Sequence, residues 1–375
     1  MDPLVLTLLS ITVVRLVVLV EQKNVKRVVA AVAEIEIDDH KRETYDGISD
    51  LQEWLANGLG IPLAKFVDTL ARPYMEHNTQ SAVVMKCINR ENPEPKEFRK
   101  QLKTKNDGKK KNRFINETLP VAILIHGWRF TESKWMMEMA NDYIKYNDVN
   151  VCMIYWESLA WGTDLIRIID RSIPRATKLI SGFIQTLNEY HGIELDDISL
   201  IGHGLAAHLA SFVSNQFDNQ IGAIYALDPM GPLFTEPVQD EYEYRLDRRD
   251  AKYIQAIYTS SNALGSDTMM GHQNFRPNLG RYPQFPCRFR KTELAYVCSH
   301  EIVIDYFRYA LNPENVFAAR RCDRNLTNYL MDNCKTKFYD RMGIHADREK
   351  PGVYYFEPSK NPPYVPYTLE TDNGY

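Results

Sequence analysis

Apolar positions fall in two rhythms along the chain, and the two alternate. Short apolar runs at residues 119–125, 149–156, 198–201, 222–227 and 253–258 read as strands. Between them, apolar residues recur at helical spacing. Trp135, Met136, Met139 and Tyr143 share a face after Ser133, an N-cap candidate. Leu179, Ile180, Phe183, Ile184 and Leu187 share another after Pro174, in a segment that stops at His191-Gly192. Leu205, Leu209, Phe212 and Val213 make a third face, and Ile302, Tyr306 and Phe307 a fourth, which His300 opens. Residues 82–85 add a strand, followed by a turn at Asn89-Arg90-Glu91-Asn92-Pro93. Residues 260–298, rich in Gly, Pro and aromatics, read as a long irregular segment. The alternation predicts an α/β fold: a mostly parallel central sheet with helices on both faces.

The ends of the chain read differently. Residues 1–33 hold an apolar stretch from Pro3 to Val20, interrupted by Arg15, that is too short to span a membrane. It suits the apolar core of a signal peptide, with Ala31-Val32-Ala33 as the cleavage region, although Asp2 stands where a basic start is usual. An uncleaved amphipathic helix is the competing reading. Residues 34–81 form a charged stretch and a helical extension carrying Leu51, Trp54, Leu55, Leu63, Phe66 and Leu70. The main domain is expected at 82–357. The tail, 358–375, with its four prolines and acidic residues, is expected to be disordered.

Composition narrows the function classes. The chain of 375 residues is 44% hydrophobic and 25% charged, which is ordinary globular usage. A net charge of -4 argues against nucleic acid as a partner. Residues 96–113 are basic, with Lys100, Lys103, Lys105, Lys109, Lys110 and Lys111. They read as a solvated loop, with sulfated sugars or anionic headgroups as the sharper alternative. The nine histidines show no metal-ligand spacing, so neither metal nor cofactor is expected. Of six cysteines, Cys287 with Cys298 and Cys322 with Cys334 are plausible near pairs, while Cys87 and Cys152 lie in strand-like runs and read as buried thiols. Asn116 and Asn325 head glycosylation sequons, which matter only in a secreted chain.

The chemistry centres on residues 198–208. An apolar strand ends at Ile201, a corner follows at Gly202-His203-Gly204, and a helical pattern begins at Leu205. Strand, tight turn and helix make the nucleophile elbow of α/β-hydrolases, in which G-x-S-x-G holds a serine on a strained turn. Here Gly204 stands at the nucleophile position and Ala206 at that of the last glycine. The chain order of nucleophile, acid and histidine is matched by Gly204, Asp228 and His300. Trp128, after the His126-Gly127 turn, and Leu205, after the elbow, are positioned in sequence to give backbone N–H groups to an oxyanion. Taken singly, an Asp closing a strand or a His beginning a helix is ordinarily structural. Trp128, Trp135, Met136 and Tyr258 read mainly as core packing, with an acyl pocket as the alternative.

Together these stretches resemble the animal neutral lipase family: pancreatic-type lipases, secreted phospholipases A1 and insect yolk proteins. The resemblance is carried by Ile125-His126-Gly127-Trp128, Ile201-Gly202-His203-Gly204-Leu205 and Leu227-Asp228-Pro229-Met230-Gly231-Pro232-Leu233-Phe234. Further matches are Gly271-His272-Gln273-Asn274-Phe275-Arg276-Pro277-Asn278, Cys298-Ser299-His300, Met342-Gly343 and Gly352-Val353-Tyr354-Tyr355. It implies an α/β-hydrolase fold, with no counterpart of the family's optional C-terminal β-sandwich. It makes Asp228 and His300 the catalytic acid and histidine, and Trp128 and Leu205 the oxyanion donors. It pairs Cys287 with Cys298 around a short lid at 288–297, and Cys322 with Cys334. Short lids resemble the phospholipase A1 branch.

The departures shape the functional expectation. Gly204 replaces the serine, Tyr258 a common histidine, and Arg276 and Leu279 alter the pattern after Gly271-His272. Ser199 lies too early in the strand to substitute, and His203 holds a structural position in this family. The expectation is a secreted, extracellular, catalytically silent lipase homologue. It binds, carries or stores lipid as the yolk proteins do, with a lipid or fatty-acyl ligand and a membrane or lipid-droplet surface as partners. The alternative is a lipase or phospholipase A1 that hydrolyses carboxylic esters in lipid catabolism by an unusual route. A third reading is a decoy that occupies a partner of active lipases.

Overall fold

The apolar runs become the strands of one sheet. The computed structural model describes residues 82–99, 114–128, 134–160, 165, 168–235, 245–261, 263–290, 292–322, 334 and 339–366. Residues 1–81, the Lys-rich stretch from 100, Asn325 and residues 367–375 lie outside the described residues, and so do the expectations placed on them. The strands are β1 (Val84–Ile88), β2 (Lys96–Phe98), β3 (Val121–Ile125), β4 (Asn150–Tyr155), β5 (Ile198–His203) and β6 (Ala223–Leu227). They continue with β7 (Tyr253–Ile257), β8 (Gln273–Pro277), β9 (Ala318–Arg321), β10 (Tyr339–Arg341) and β11 (Gly352–Phe356). The order across the sheet is β10-β9-β11-β8-β7-β6-β5-β3-β4-β1-β2. From β4 to β11 the neighbours run parallel. Antiparallel pairs close both edges.

Helices α1 (Lys134–Tyr146), α2 (Glu157–Ala160), α3 (Ile173–His191), α4 (Leu205–Asn215) and α5 (Thr292–Tyr309) complete the main elements. Side chains alternate across a strand, so each central strand feeds two cores. Ile123, Ile125, Leu200 and Ile224 pack with Ile180, Leu187 and Leu209 from α3 and α4. Leu124, Ile201 and Tyr225 pack with Met136, Met139, Val303 and Phe307 from α1 and α5. The sheet is therefore buried on both faces, as a parallel sheet must be. Its fold is that of an α/β-hydrolase.

Four readings from the sequence are corrected. Residues 260–298 are not wholly irregular, because they contain β8, a central strand. Its sequence Gln273-Asn274-Phe275-Arg276-Pro277 is buried throughout but mostly polar, and hydrogen bonds replace hydropathy there. The Gln273 amide, for instance, donates to Asp340 and to the carbonyls of Asp347 and Lys350. Helix α5 begins at Thr292, so His300 sits within it and does not open it. Residues 358–366 are described, and Tyr364 is buried against Tyr306 and Tyr309. The expectation of disorder from 358 onward fails for that part.

The fourth correction concerns Cys87 and Cys152, which form a disulfide. They are direct partners in the antiparallel register of β1 and β4, with Cα atoms 4.0 Å apart. Their separation of 65 residues hid the pairing. Cys287–Cys298 and Cys322–Cys334 close separations of 11 and 12 residues. Replacing both Cys322 and Cys334 by alanine should cost about 3 kcal/mol, the loop-closure entropy of a short loop. Urea midpoints of the purified proteins check this. An unchanged midpoint would mean that the loop is held without its bridge.

Candidate active site

The site grows out of the parallel strands' C-terminal ends, where open α/β sheets bind ligands. Strand β5 delivers the corner, and Gly204 turns it with φ 57° and ψ -115°. That conformation is strained for any residue with a Cβ and easy for glycine. Helix α4 starts at once, so the N–H of Leu205 lies in a first turn, where no intrahelical acceptor exists. The end of β6 pins the corner from the side. Gly204 N–H donates to the Leu227 carbonyl at 2.9 Å, and Met230 N–H donates to the Gly204 carbonyl at 3.2 Å.

Asp228 follows β6 and is itself left-handed, with φ 45°. Its carboxylate is fully buried. Oδ1 accepts from the N–H groups of Thr259 and Ser260 at 2.7 and 3.0 Å. Oδ2 accepts from the Ser260 hydroxyl and, at 2.6 Å, from His300 Nδ1. Four donors thus hold one buried carboxylate, the compensation such burial requires. The Ser260 hydroxyl in turn accepts from Gly265 N–H at 2.9 Å. Gly265 lies so close that a Cβ there would run into the Asp228 carboxyl group. Sequence reasoning missed Ser260 and Gly265. The only signal was the run of hydroxyl side chains after β7, where Thr259, Ser260 and Ser261 follow one another.

His300 reaches the same point from α5. Donating Nδ1–H to Asp228 leaves Nε2 as the atom facing Gly204. A Cβ built on Gly204 would stand 2.7 Å from Nε2 and 3.1 Å from Cε1. The imidazole therefore leans into space that any side chain at 204 would occupy. His203 secures it from behind: its Nε2–H donates to the His300 carbonyl at 2.8 Å, and the rings lie 4.4 Å apart.

The turn after β3 abuts the elbow. A Cβ on Gly127 would lie 2.9 Å from the His203 carbonyl oxygen. His126 fixes this turn by donating Nδ1–H to the Gly127 carbonyl at 2.9 Å and accepting the Trp156 N–H on Nε2 at 3.2 Å. Trp128 comes next and packs, half-buried, on an apolar group of Ala263, Leu264 and Tyr296, alongside Tyr282 and Val297. The structure thus brings Trp128, Gly204, Leu205, Asp228 and His300 to one corner. It does not bring Ser199 there, because Ser199 lies within β5 opposite Ala122 and Ala223.

The departures noted in the sequence are structural beside this corner. The Tyr258 hydroxyl donates to Asn274 Oδ1 at 2.9 Å and accepts from Met270 N–H at 2.8 Å, and burial pushes its ionisation well up. Arg276 pairs with Asp267 and donates to the Leu279 carbonyl at 3.2 Å. Leu279 is left-handed at φ 65°. In the expected lid, Arg288 lies over the Phe285 ring at 4.7 Å and Phe289 is 94% exposed. Asn116 Oδ1 accepts from both the N–H and the hydroxyl of Thr118, which curls that sequon into a turn. No helix among the described residues is long and apolar enough to cross a membrane.

Burial holds three histidines around this corner neutral. It lowers His126 to about 4, His203 to about 3, with the His300 charge adding to the effect, and His208 to about 4. An unfolded histidine titrates near ~6.5. The folded values are lower, so the stabilisation is complete above the unfolded value and is lost as pH falls toward the folded ones. Unfolding in that window takes up as many as three protons from these groups, each worth about 1 kcal/mol per pH unit. Stability from urea titrations should fall from pH 6 to pH 4, and His208→Gln should flatten the slope by about one proton. An identical slope in that variant would show that His208 takes up no proton on unfolding in this window.

The corner lies at the C-terminal ends of the parallel strands of an α/β-hydrolase fold. A profile of the lipase family matches residues 60–356, so the chain belongs to that family. It is similar to lipase member H of Oryctolagus cuniculus, 28% identical over 68% of this chain and 57% of the relative. It is also similar to phospholipase A1 member A of Mus musculus, 29% identical over 52% of this chain and 42% of the relative. The chain thus spans about half the length of these relatives. Among solved structures, a phospholipase/carboxylesterase from Dyadobacter fermentans aligns with a TM-score of 0.29 and 13% identity, over 38% of this chain and 66% of that one.

Proposed function

We propose that this lipase-family protein is a secreted lipid-binding or lipid-carrying protein without serine-type ester hydrolysis. One observation carries the reading: the corner that presents the nucleophile in hydrolases is occupied by Gly204, with His300 Nε2 crowding the position of a side chain. Asp228 and His300 are then remnants of an acid–histidine pair, and Trp128 and Leu205 remnants of an oxyanion site. The apolar cluster on which half-buried Trp128 packs, beside the corner, supports lipid binding. Exposed Phe289, flanked by Arg288 and Arg290, supports contact with a membrane or lipid-droplet surface. Three disulfides among the described residues support an oxidising compartment, in which the Asn116 sequon would be glycosylated. A storage role of the yolk-protein kind fits the same features.

The competing reading is ester hydrolysis by an unusual route. The 2.6 Å hydrogen bond from His300 to Asp228 favours it, since a base so oriented is what hydrolysis requires. Thermal unfolding with lipids tests the binding proposal. A single-chain lipid at a hundredfold excess over its dissociation constant should stabilise the protein by about 3 kcal/mol. No shift with fatty acids, lysophospholipids or acylglycerols would reject lipid binding.

A further inference from the structure

We infer that the glycine-containing elbow is a receptor for the carboxylate of a free long-chain acid, and that the protein prefers such acids to their esters and alcohols. The inference rests on the lipid-binding reading above and names the chemical class of the ligand.

The first support is His300 Nε2, an acceptor to which no group among the described residues donates. Nδ1–H is committed to Asp228 at 2.6 Å, so Nε2 is the ring atom that faces the corner. In a serine hydrolase the hydroxyl occupies that position and bonds this nitrogen. Gly204 has no such group, and Nε2 lies 2.7 Å from the point where a Cβ would stand. A ligand oxygen can approach Nε2 only because nothing projects from residue 204.

The second support is electrostatic. A hydrolase stabilises an array of oxyanion, imidazolium and aspartate as its ester reacts. A carboxylic acid that passes its proton to Nε2 makes the same array: carboxylate, imidazolium, Asp228. The proton moves from the ligand oxygen to Nε2, and nothing else changes hands. Asp228 is already balanced by the N–H groups of Thr259 and Ser260 and by the Ser260 hydroxyl. The first-turn N–H of Leu205, at the start of the 11-residue helix α4, adds a donor at the positive end of a helix dipole. An ester or an alcohol has no acidic proton to give and cannot form this array.

The third support is a small apolar cluster tied to the corner through its neighbours in sequence. Trp128, Leu264 and Val297 belong to one apolar group, and each is tied in sequence to the site. Trp128 follows Gly127, which abuts His203. Leu264 precedes Gly265, which abuts the Asp228 carboxyl. Val297 lies one turn before His300 in α5. A carboxylate at Gly204 with its hydrocarbon chain against the partly buried members of this cluster, Trp128 and Val297, satisfies both parts of the site.

The test compares dodecanoic acid, methyl dodecanoate and dodecanol, each below its aggregation limit, by displacement of a fluorescent apolar probe from the full-length protein. The expected result is at least tenfold tighter binding of the acid, which is lost in His300→Gln while the alcohol's affinity is retained. Gly204→Ala, which places a methyl group against Nε2, should lose the preference by a separate route, and circular dichroism reports whether either variant folds. The carboxyl resonance of [1-13C]dodecanoic acid should shift on binding to wild type and not on binding to the variants. Equal affinities for acid, ester and alcohol would overturn the carboxylate site while leaving lipid binding intact. A preference that persists in folded variants would also overturn it. Failure of all three ligands to bind would instead reject the lipid-binding reading on which it rests.

Discussion

Restoring the hydroxyl, as Gly204→Ser, is expected to make the protein react with fluorophosphonates and hydrolyse short soluble esters. The groups a serine would need are assembled: a turn at φ 57°, a helix starting at Leu205, and His300 bonded to a fully buried Asp228. Removing a triad serine from an intact hydrolase costs on the order of 10⁶ in turnover. Recovery here should be partial, at least about a hundredfold above wild type on that scale. It is partial because Nε2 now stands 2.7 Å from where the new Cβ must go, so the imidazole has to retreat before it can accept a proton. The variant should also lose about 1–3 kcal/mol of stability, the strain of a side chain on that turn. Activity that then disappears on adding His300→Ala would tie the gain to the pair. A folded variant that neither labels nor turns over would show that the geometry has drifted beyond use.

The second large effect is on stability. Asp228→Ala should destabilise the fold by roughly 3–5 kcal/mol, because it strands buried donors that have no other acceptor. Those donors are the N–H groups of Thr259 and Ser260, the Ser260 hydroxyl and His300 Nδ1–H. Asp228→Asn should cost less. Its oxygen can still serve the two N–H groups, while its amide faces His300 and forces the imidazole to accept at Nδ1. Urea denaturation of the three proteins gives the ranking. Equal losses for Ala and Asn would mean that the bond to His300 dominates, and no loss for Ala would mean that water replaces the carboxylate.

The parts of this site that were legible in the sequence are those written in local pattern. The elbow is a contiguous strand, corner and helix, and apolar periodicity located it. Asp228 closes an apolar strand, and α1, α3 and α4 each declare a single apolar face. What stayed hidden depends on partners distant in sequence. Strand β8 is polar and buried, so its hydropathy argued against a strand until its hydrogen-bond partners were known. Cys87 and Cys152 are neighbours only through the register of β1 and β4. The support of Asp228 by Ser260 and Gly265 crosses more than thirty residues and leaves no periodic trace. The start of α5 at Thr292 was masked by the disulfide cysteines and aromatics that precede His300.

Exposure of the wild-type protein to a fluorophosphonate, followed by intact mass and by ester turnover on short and long acyl chains, tests the central claim most directly. A chain with Gly204 at the elbow and no hydroxyl presented to His300 Nε2 should gain no adduct mass and show no turnover above buffer. A stoichiometric adduct within residues 82–357, or ester turnover that His300→Ala abolishes, would contradict it and establish the protein as a working hydrolase.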